Sequence, residues 1–112
     1  DIEKIEKMNG KISSVIGPLL RFFANANKEF FGFNGAPIHD ALTIAYLVDE
    51  KVLTLKDYFV DIETEGTLTR GRTVVDVYGV LNKKPNASVA IDLDLKKFKE
   101  MIFEMIYKLD NI

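Results

Sequence analysis

The hydrophobic pattern of this chain predicts an α+β segment, with helices at both ends around three strands, of a kind that forms the edge of a larger α/β sheet. Apolar residues recur at helical spacing from Ile12 to Phe30 and again from Leu95 to Leu109. Between them lie β-rich runs at Tyr58–Glu63, Thr73–Tyr78 and Ser88–Leu93, separated by Gly, Pro and Asn. No internal repeat or low-complexity tract breaks this order.

The elements follow in turn. Ile2, Ile5 and Met8 share one helical face, and Asn9-Gly10 is a stop signal. Ile12, Val15, Ile16, Leu19, Leu20, Phe23, Ala26 and Phe30 then form the stripe of a long helix, expected to face a core. Gly17-Pro18 predicts either a kink or a helix that begins near Pro18, because proline has no N–H to donate. Gly32 to Pro37, with two Gly, an Asn and a Pro, reads as a loop. Pro37 stands where helices tend to start, and Ile38, Leu42, Ala45 and Tyr46 carry a short helix to Val48 or Asp49.

Tyr58–Glu63 alternates its side chains, and Thr73–Tyr78 is its expected antiparallel partner across a Gly-containing loop. Pro85-Asn86 is a turn before the third strand. Leu95, Phe98, Ile102, Met105 and Leu109 define the closing amphipathic helix, with Asp94 as its N-cap. Asp92 and Asp94 are read as turn and cap residues.

With 112 residues, 47% apolar and 29% charged, residues 1–112 fit one compact globular body and leave no room for two. The chain opens at Asp1 rather than Met and reads as a segment of something longer. A net charge of −2, with both signs interleaved, offers no phosphate-tracking surface, so no nucleic-acid partner is expected. The absence of Cys excludes disulfides and thiolate metal sites, which suits the cytoplasm. No apolar run approaches the ~20 residues that span a bilayer, and no membrane partner is expected.

Chemistry concentrates in Gly35-Ala36-Pro37-Ile38-His39-Asp40, which holds the only His of the chain beside a carboxylate at the mouth of a helix. Unpaired N–H groups and the helix dipole there favour negative charge, which suits Asp40 as a hard oxygen ligand. His39 is a candidate for proton exchange. On spacing alone both also fit a purely structural role: an acid in a first helical turn and a packed imidazole. Phe30 and Phe31 extend the helical stripe, Phe30 reading as core. Phe33 lies in the loop and could stack on a planar ligand. Arg70-Gly71-Arg72 reads as a tight loop in which one Arg satisfies a carboxylate such as Asp76, rather than as an anion site.

The run Gly35 to Leu42, continuing to Ala45-Tyr46-Leu47, resembles the C-terminal motif of the inosine-uridine preferring nucleoside hydrolases. Two further blocks follow in family order: Gly66, Leu68 to Asp76, and then Pro85-Asn86 with Val89 to Asp94 and the final helix. The resemblance implies the C-terminal portion of an α/β nucleoside-hydrolase-like fold. It also implies cleavage of the N-glycosidic bond of ribonucleosides, with Asp40 matching a calcium (Ca2+) ligand and His39 the residue proposed to protonate the leaving base. Purine-specific relatives tend to carry an aromatic residue at that position, so His39 leans toward inosine, uridine and cytidine. The family's N-terminal Asp-rich motif is absent from these residues, so the segment alone is expected to be inactive. The partners implied are a small ribonucleoside substrate and other copies of the protein in a homo-oligomer, in the setting of nucleoside salvage.

Overall fold

The computed structural model describes residues 1–112. In chain order it contains α1 (Ile2–Glu6), α2 (Ser13–Phe31), α3 (His39–Val48), a 3-10 turn at Glu50–Val52, β1 (Leu53–Tyr58), β2 (Val60–Ile62), β3 (Thr73–Val75), β4 (Ala87–Leu93) and α4 (Leu95–Asp110). Where the sequence suggests one compact body, the chain gathers into two compact units. Asp1–Val52 with Asp94–Ile112 form a helical unit, and Leu53–Leu93 form a strand unit. Every buried hydrophobic residue (Ile5, Ala45, Val52, Phe98 and Ile106) belongs to the helical unit, and the short strands bury none of their side chains.

In the helical unit, α1 ends at Lys7, and Asn9 takes a left-handed conformation at φ 54°, as the Asn-Gly stop signal predicts. The long helix does not begin at Pro18: α2 starts five residues earlier, at Ser13, and carries Pro18 within it. Gly17 has a packing role instead. A Cβ at that position would lie 2.6 Å from Glu6 Cγ, so the missing side chain is what lets α1 approach. The same approach sets Glu6 against Arg21, which donates from Nε to Oε1 at 2.7 Å and from Nη2 to Oε2 at 2.5 Å. This fork holds the Glu6 carboxyl below its ordinary range.

The buried face of α2 differs from the one its large residues suggest. Ser13, Gly17, Leu20, Ala24 and Asn27, in alternating steps of four and three, mark its buried face, with Ile16 and Ala26 half-buried beside it. The expected core stripe is split: Val15 (65% exposed), Leu19 (61%) and Phe30 (75%) lie outward, while Ile12, Ile16, Leu20 and Ala26 stay half-buried. At Gly17 the reason is geometric, since α1 approaches closest where the side chain is smallest. The whole chain exposes 8892 Å2, where a monomer of this mass ordinarily exposes about 6,200 Å2.

The N-terminus of α2 is capped from far away. Its N-cap, Ile12, has no side chain that can accept a hydrogen bond. Asp110, in the last turn of α4, does so instead, taking the N–H of Ile12 at 2.6 Å and that of Ser13 at 3.0 Å across 98 and 97 residues of sequence. Gly10 makes room for it, since a Cβ there would fall 1.9 Å from Asp110 Cγ. The Ser13 side chain, and then the two backbone N–H groups, hold the Asp110 carboxyl below its ordinary range.

Helix α4 begins as its sequence predicts, with Asp94 Oδ1 accepting from Lys97 N–H at 2.9 Å. Asp92 accepts from the N–H of Leu93. The buried residues of α4 are Phe98 and Ile106, with Ile102 half-buried between them, whereas Leu95, Met105 and Leu109 are exposed. Lys97 Nζ contacts Asp49 at 2.5 Å, and the Val52 carbonyl accepts from Asp94 N–H at 3.0 Å. These contacts tie the end of α3 to α4, and Lys97 also lowers the Asp49 titration.

The strand unit holds four strands rather than three. β1 is unpredicted and pairs antiparallel with β4, from Leu53 opposite Leu93 to Tyr58 opposite Ala87, with a bulge at Thr54/Leu55. The expected pair of Tyr58–Glu63 with Thr73–Tyr78 exists as β2 and β3, with Val60 opposite Val75. Asn86 clasps the break at Phe59: its Oδ1 accepts from Val60 N–H, its Nδ2 donates to the Val60 carbonyl, and its own N–H donates to the Tyr58 carbonyl. A side-chain amide thus continues the ladder where the backbone leaves it.

Three outcomes are expected. Gly10→Ala drives a carbon into the Asp110 carboxylate and lowers the melting temperature, whereas Gly71→Ser, with open space around it, strains only its own turn. Truncating Ile106, fully buried, costs about 2–5 kcal/mol, and Asp94→Ala costs about 1 kcal/mol, both measurable by denaturant unfolding. The depressed carboxyls of Asp49 and Asp110 add stability above the ordinary carboxylate range, and it is lost as pH falls through and below about 4. Melting curves of Asp49→Asn and Asp110→Asn should therefore fall below the parent at neutral pH and converge with it in acid.

Candidate active site

The His39-Asp40 pair is positioned by the way α2 stops and α3 starts. Gly32, at φ 72°, ends α2 in the left-handed region, its N–H donating to the Lys28 carbonyl at 3.0 Å. Asn27, only 7% exposed, anchors this turn: its Nδ2 donates to the Phe23 carbonyl, and its own carbonyl accepts from Phe33 N–H at 3.4 Å. The sequence offers a signal for Asn27 only in hindsight, as a polar residue on the small-residue seam. Gly35 then adopts φ 147°, a conformation that side-chain-bearing residues rarely take.

Helix α3 begins at His39 rather than at Pro37. Ile38 takes φ −106° and ψ 76°, outside the helical region, and Pro37 lies one residue further out. His39 and Asp40 therefore occupy the first two helical positions, where backbone N–H groups have no partner within the helix. Both residues are exposed, and the Asp40 carbonyl accepts from Thr43 Oγ1 at 2.7 Å. Successive residues on a helix point about 100° apart, so the two side chains leave on different bearings. Such a pair suits contact with two neighbouring chemical groups better than shared grip on one.

Phe33 is 57% exposed and stacks on Phe31, with ring centroids 6.0 Å apart and planes at 29°. Phe30 and Phe31 are 75% and 69% exposed, so the core role expected of Phe30 does not hold within this chain. No three or more His, Asp or Glu side chains converge anywhere in the molecule. Calcium takes about 6–8 oxygen ligands, and Asp40 alone does not meet that demand. The Arg70-Gly71-Arg72 loop is tight, with Gly71 at φ 85°, but Asp76 is not satisfied by either arginine. Its two oxygens accept from the N–H groups of Val80 and Leu81, both at 2.9 Å, closing a turn of their own.

Known proteins share both sequence and shape with this chain. The family model described as inosine-uridine preferring nucleoside hydrolase matches residues 1–100. A pyrimidine-specific ribonucleoside hydrolase, RihA, from Salmonella arizonae is 40% identical over 107 residues, which is 95% of this chain. That of Salmonella typhimurium is equally similar. A purine-preferring ribonucleoside hydrolase from Gardnerella vaginalis superposes with a TM-score of 0.79 at 24% identity, over 97% of this chain and 34% of its own. A plant nucleoside hydrolase, PpNRh1, superposes with a TM-score of 0.77 at 18% identity, over 95% of this chain and 35% of its own. The chain spans about a third of the length of these relatives, 34% in the case of RihA. With a family match that runs through all of α1, α2, α3 and the four strands, the chain belongs to the inosine-uridine preferring nucleoside hydrolases.

Proposed function

We propose that this chain is the C-terminal part of a ribonucleoside hydrolase and brings His39 and Asp40 to the site where ribose and base are parted. The observation that carries the reading is the placement of the chain's only imidazole and a carboxylate, both exposed, in the first turn of α3 behind a glycine-bearing loop. Hydrolysis breaks the bond from ribose C1′ to a ring nitrogen, and the bonding electrons leave with the base. A proton from His39 neutralises the departing base while water adds to C1′, giving ribose and the free base. The water's proton goes to a base outside this chain. General acid help of this kind contributes about 10²–10⁴-fold in rate. Phe33, stacked on Phe31 and half-open to solvent, offers a flat apolar surface for a planar ring.

Asp40 serves as one of several oxygen donors to calcium, the remainder lying outside this chain. The chain by itself is therefore inactive. His39 in place of an aromatic residue favours inosine, uridine and cytidine. The absence of Cys accords with the cytoplasm, and no helix is long and apolar enough to cross a membrane. A second reading, a non-catalytic segment that associates with copies of itself, draws support from the outward stripe of Val15, Leu19 and Phe30. Light scattering decides that point: a monomer across a wide concentration range would remove it.

Release of ribose from inosine and uridine, with and without calcium, tests the main reading. Activity is expected in the full-length protein that contains this chain, and none in the chain alone. In that full-length protein, Asp40→Ala should lose both bound calcium and turnover; retention of both would overturn the assignment. His39→Ala should lower kcat by about 10²-fold on natural nucleosides. The loss should shrink on a riboside whose leaving group departs without a proton.

A further inference from the structure

Asparagine is followed by glycine at Asn9-Gly10 and at Asn34-Gly35, and the fold treats the two pairs differently. Such a pair can lose its side-chain amide without an enzyme. The glycine nitrogen gives up its proton and attacks Asn Cγ, ammonia leaves, and a succinimide ring closes. Water then opens the ring at either carbonyl. One opening gives aspartate; the other gives isoaspartate, in which the main chain runs through the side-chain carbon. Glycine favours the attack because no Cβ shields its nitrogen and its backbone turns freely. The reaction therefore needs an unengaged glycine N–H with room around it.

Neither condition is met at Asn9-Gly10. Gly10 is half-buried, and its N–H donates to Ser13 Oγ at 2.9 Å. The Asp110 carboxylate packs where a Gly10 Cβ would stand and opposes the negative charge that attack builds on the nitrogen. Both conditions are met at Asn34-Gly35. The two residues are exposed in the stretch between α2 and α3, and the Gly35 N–H donates to no group of the chain. Nothing lies within 4 Å of where a Gly35 Cβ would stand. The remaining asparagines precede residues that carry side chains.

We propose that Asn34-Gly35 is a site of spontaneous deamidation, while the Ser13 and Asp110 contacts protect Asn9-Gly10. Each product puts a carboxylate in the loop that leads to His39, and isoaspartate also adds a methylene to its main chain. The loop of the candidate active site is thus the part that ages first. Any effect on turnover rests on the hydrolase reading; the modification does not.

The full-length protein that contains this chain is incubated at neutral and mildly alkaline pH, native and denatured. Digestion and mass spectrometry then follow the exchange of NH2 for OH, and isoaspartate, in each peptide. In the native protein Asn34 should convert faster than Asn9, by roughly 2- to 10-fold for the Ser13 hydrogen bond alone. Denaturation should bring the two rates together. An intact Asn34 in the native protein, conversion of Asn9 as fast as Asn34, or a difference that persists on denaturation would overturn the proposal. Ribose release should fall in step with the isoaspartate fraction, and Asn34→Gln, which closes the ring poorly, should keep its activity over the same incubation. Equal loss in Asn34→Gln would remove the link to turnover. The peptide map does not depend on catalysis, so failure of the hydrolase reading would leave it unaltered.

Discussion

A helix of nineteen residues cannot stand with its first N–H groups buried and unpaired, and the N-cap of α2 is a residue that has nothing to offer them. Asp110 supplies what Ile12 lacks. The oxygen that caps α2 comes from the last turn of the last helix, so the two ends of the sequence meet around one carboxylate. Much of the helical unit is consistent with this contact. Gly10 is bare because the carboxylate passes where its Cβ would be, and Ser13 is fully buried beside it. At the other end of α4, Lys99 pairs with Asp1 and Lys97 with Asp49. Ion pairs on a surface contribute little singly, whereas a carboxylate accepting from two helix-end N–H groups satisfies donors that have no alternative.

From that anchor α2 runs to the turn that presents the candidate active site. Its far end is held by Asn27, whose amide and carbonyl fix Phe23 and Phe33 on either side. The Gly32 turn, the Gly35 conformation and the non-helical Ile38 follow in one short stretch. Each is a local solution to a steric demand, and together they determine that His39, and no earlier residue, opens α3. The exposed helix end is thus a product of backbone geometry before any side chain contributes chemistry.

The parts of the fold legible in the sequence were those governed by local rules. Asp94 caps α4 as an aspartate before an amphipathic run should, and β2 meets β3 across a Gly-containing loop. What escaped was governed by partners distant in sequence. The Leu53–Tyr58 strand alternates Leu, Thr, Leu and Lys before an Asp that breaks the pattern, and only β4 makes it a strand. Pro18 suggested a helix start, but a distant carboxylate caps the helix earlier. The large apolar stripe of α2 suggested a core, but its largest members lie outward, and α1 packs closest at Gly17, which the stripe does not contain. The site followed the same division. His39 and Asp40 stand out as candidates by motif and position, whereas Asn27, which holds the turn before them, carries no local signal. Membership of the family rests on ordered blocks of sequence, and no single residue would have established it.

The divergence of His39 and Asp40 around the α3 axis has an evolutionary consequence. Side chains that face one another are bound to change together, because each is part of the other's surroundings. Neighbours on a helix that point about 100° apart have no such bond, although they are joined by a single peptide. Position 39 can be exchanged for a ring of another shape while position 40 keeps the same carboxylate on the same bearing. One codon can then change without disturbing the adjacent one.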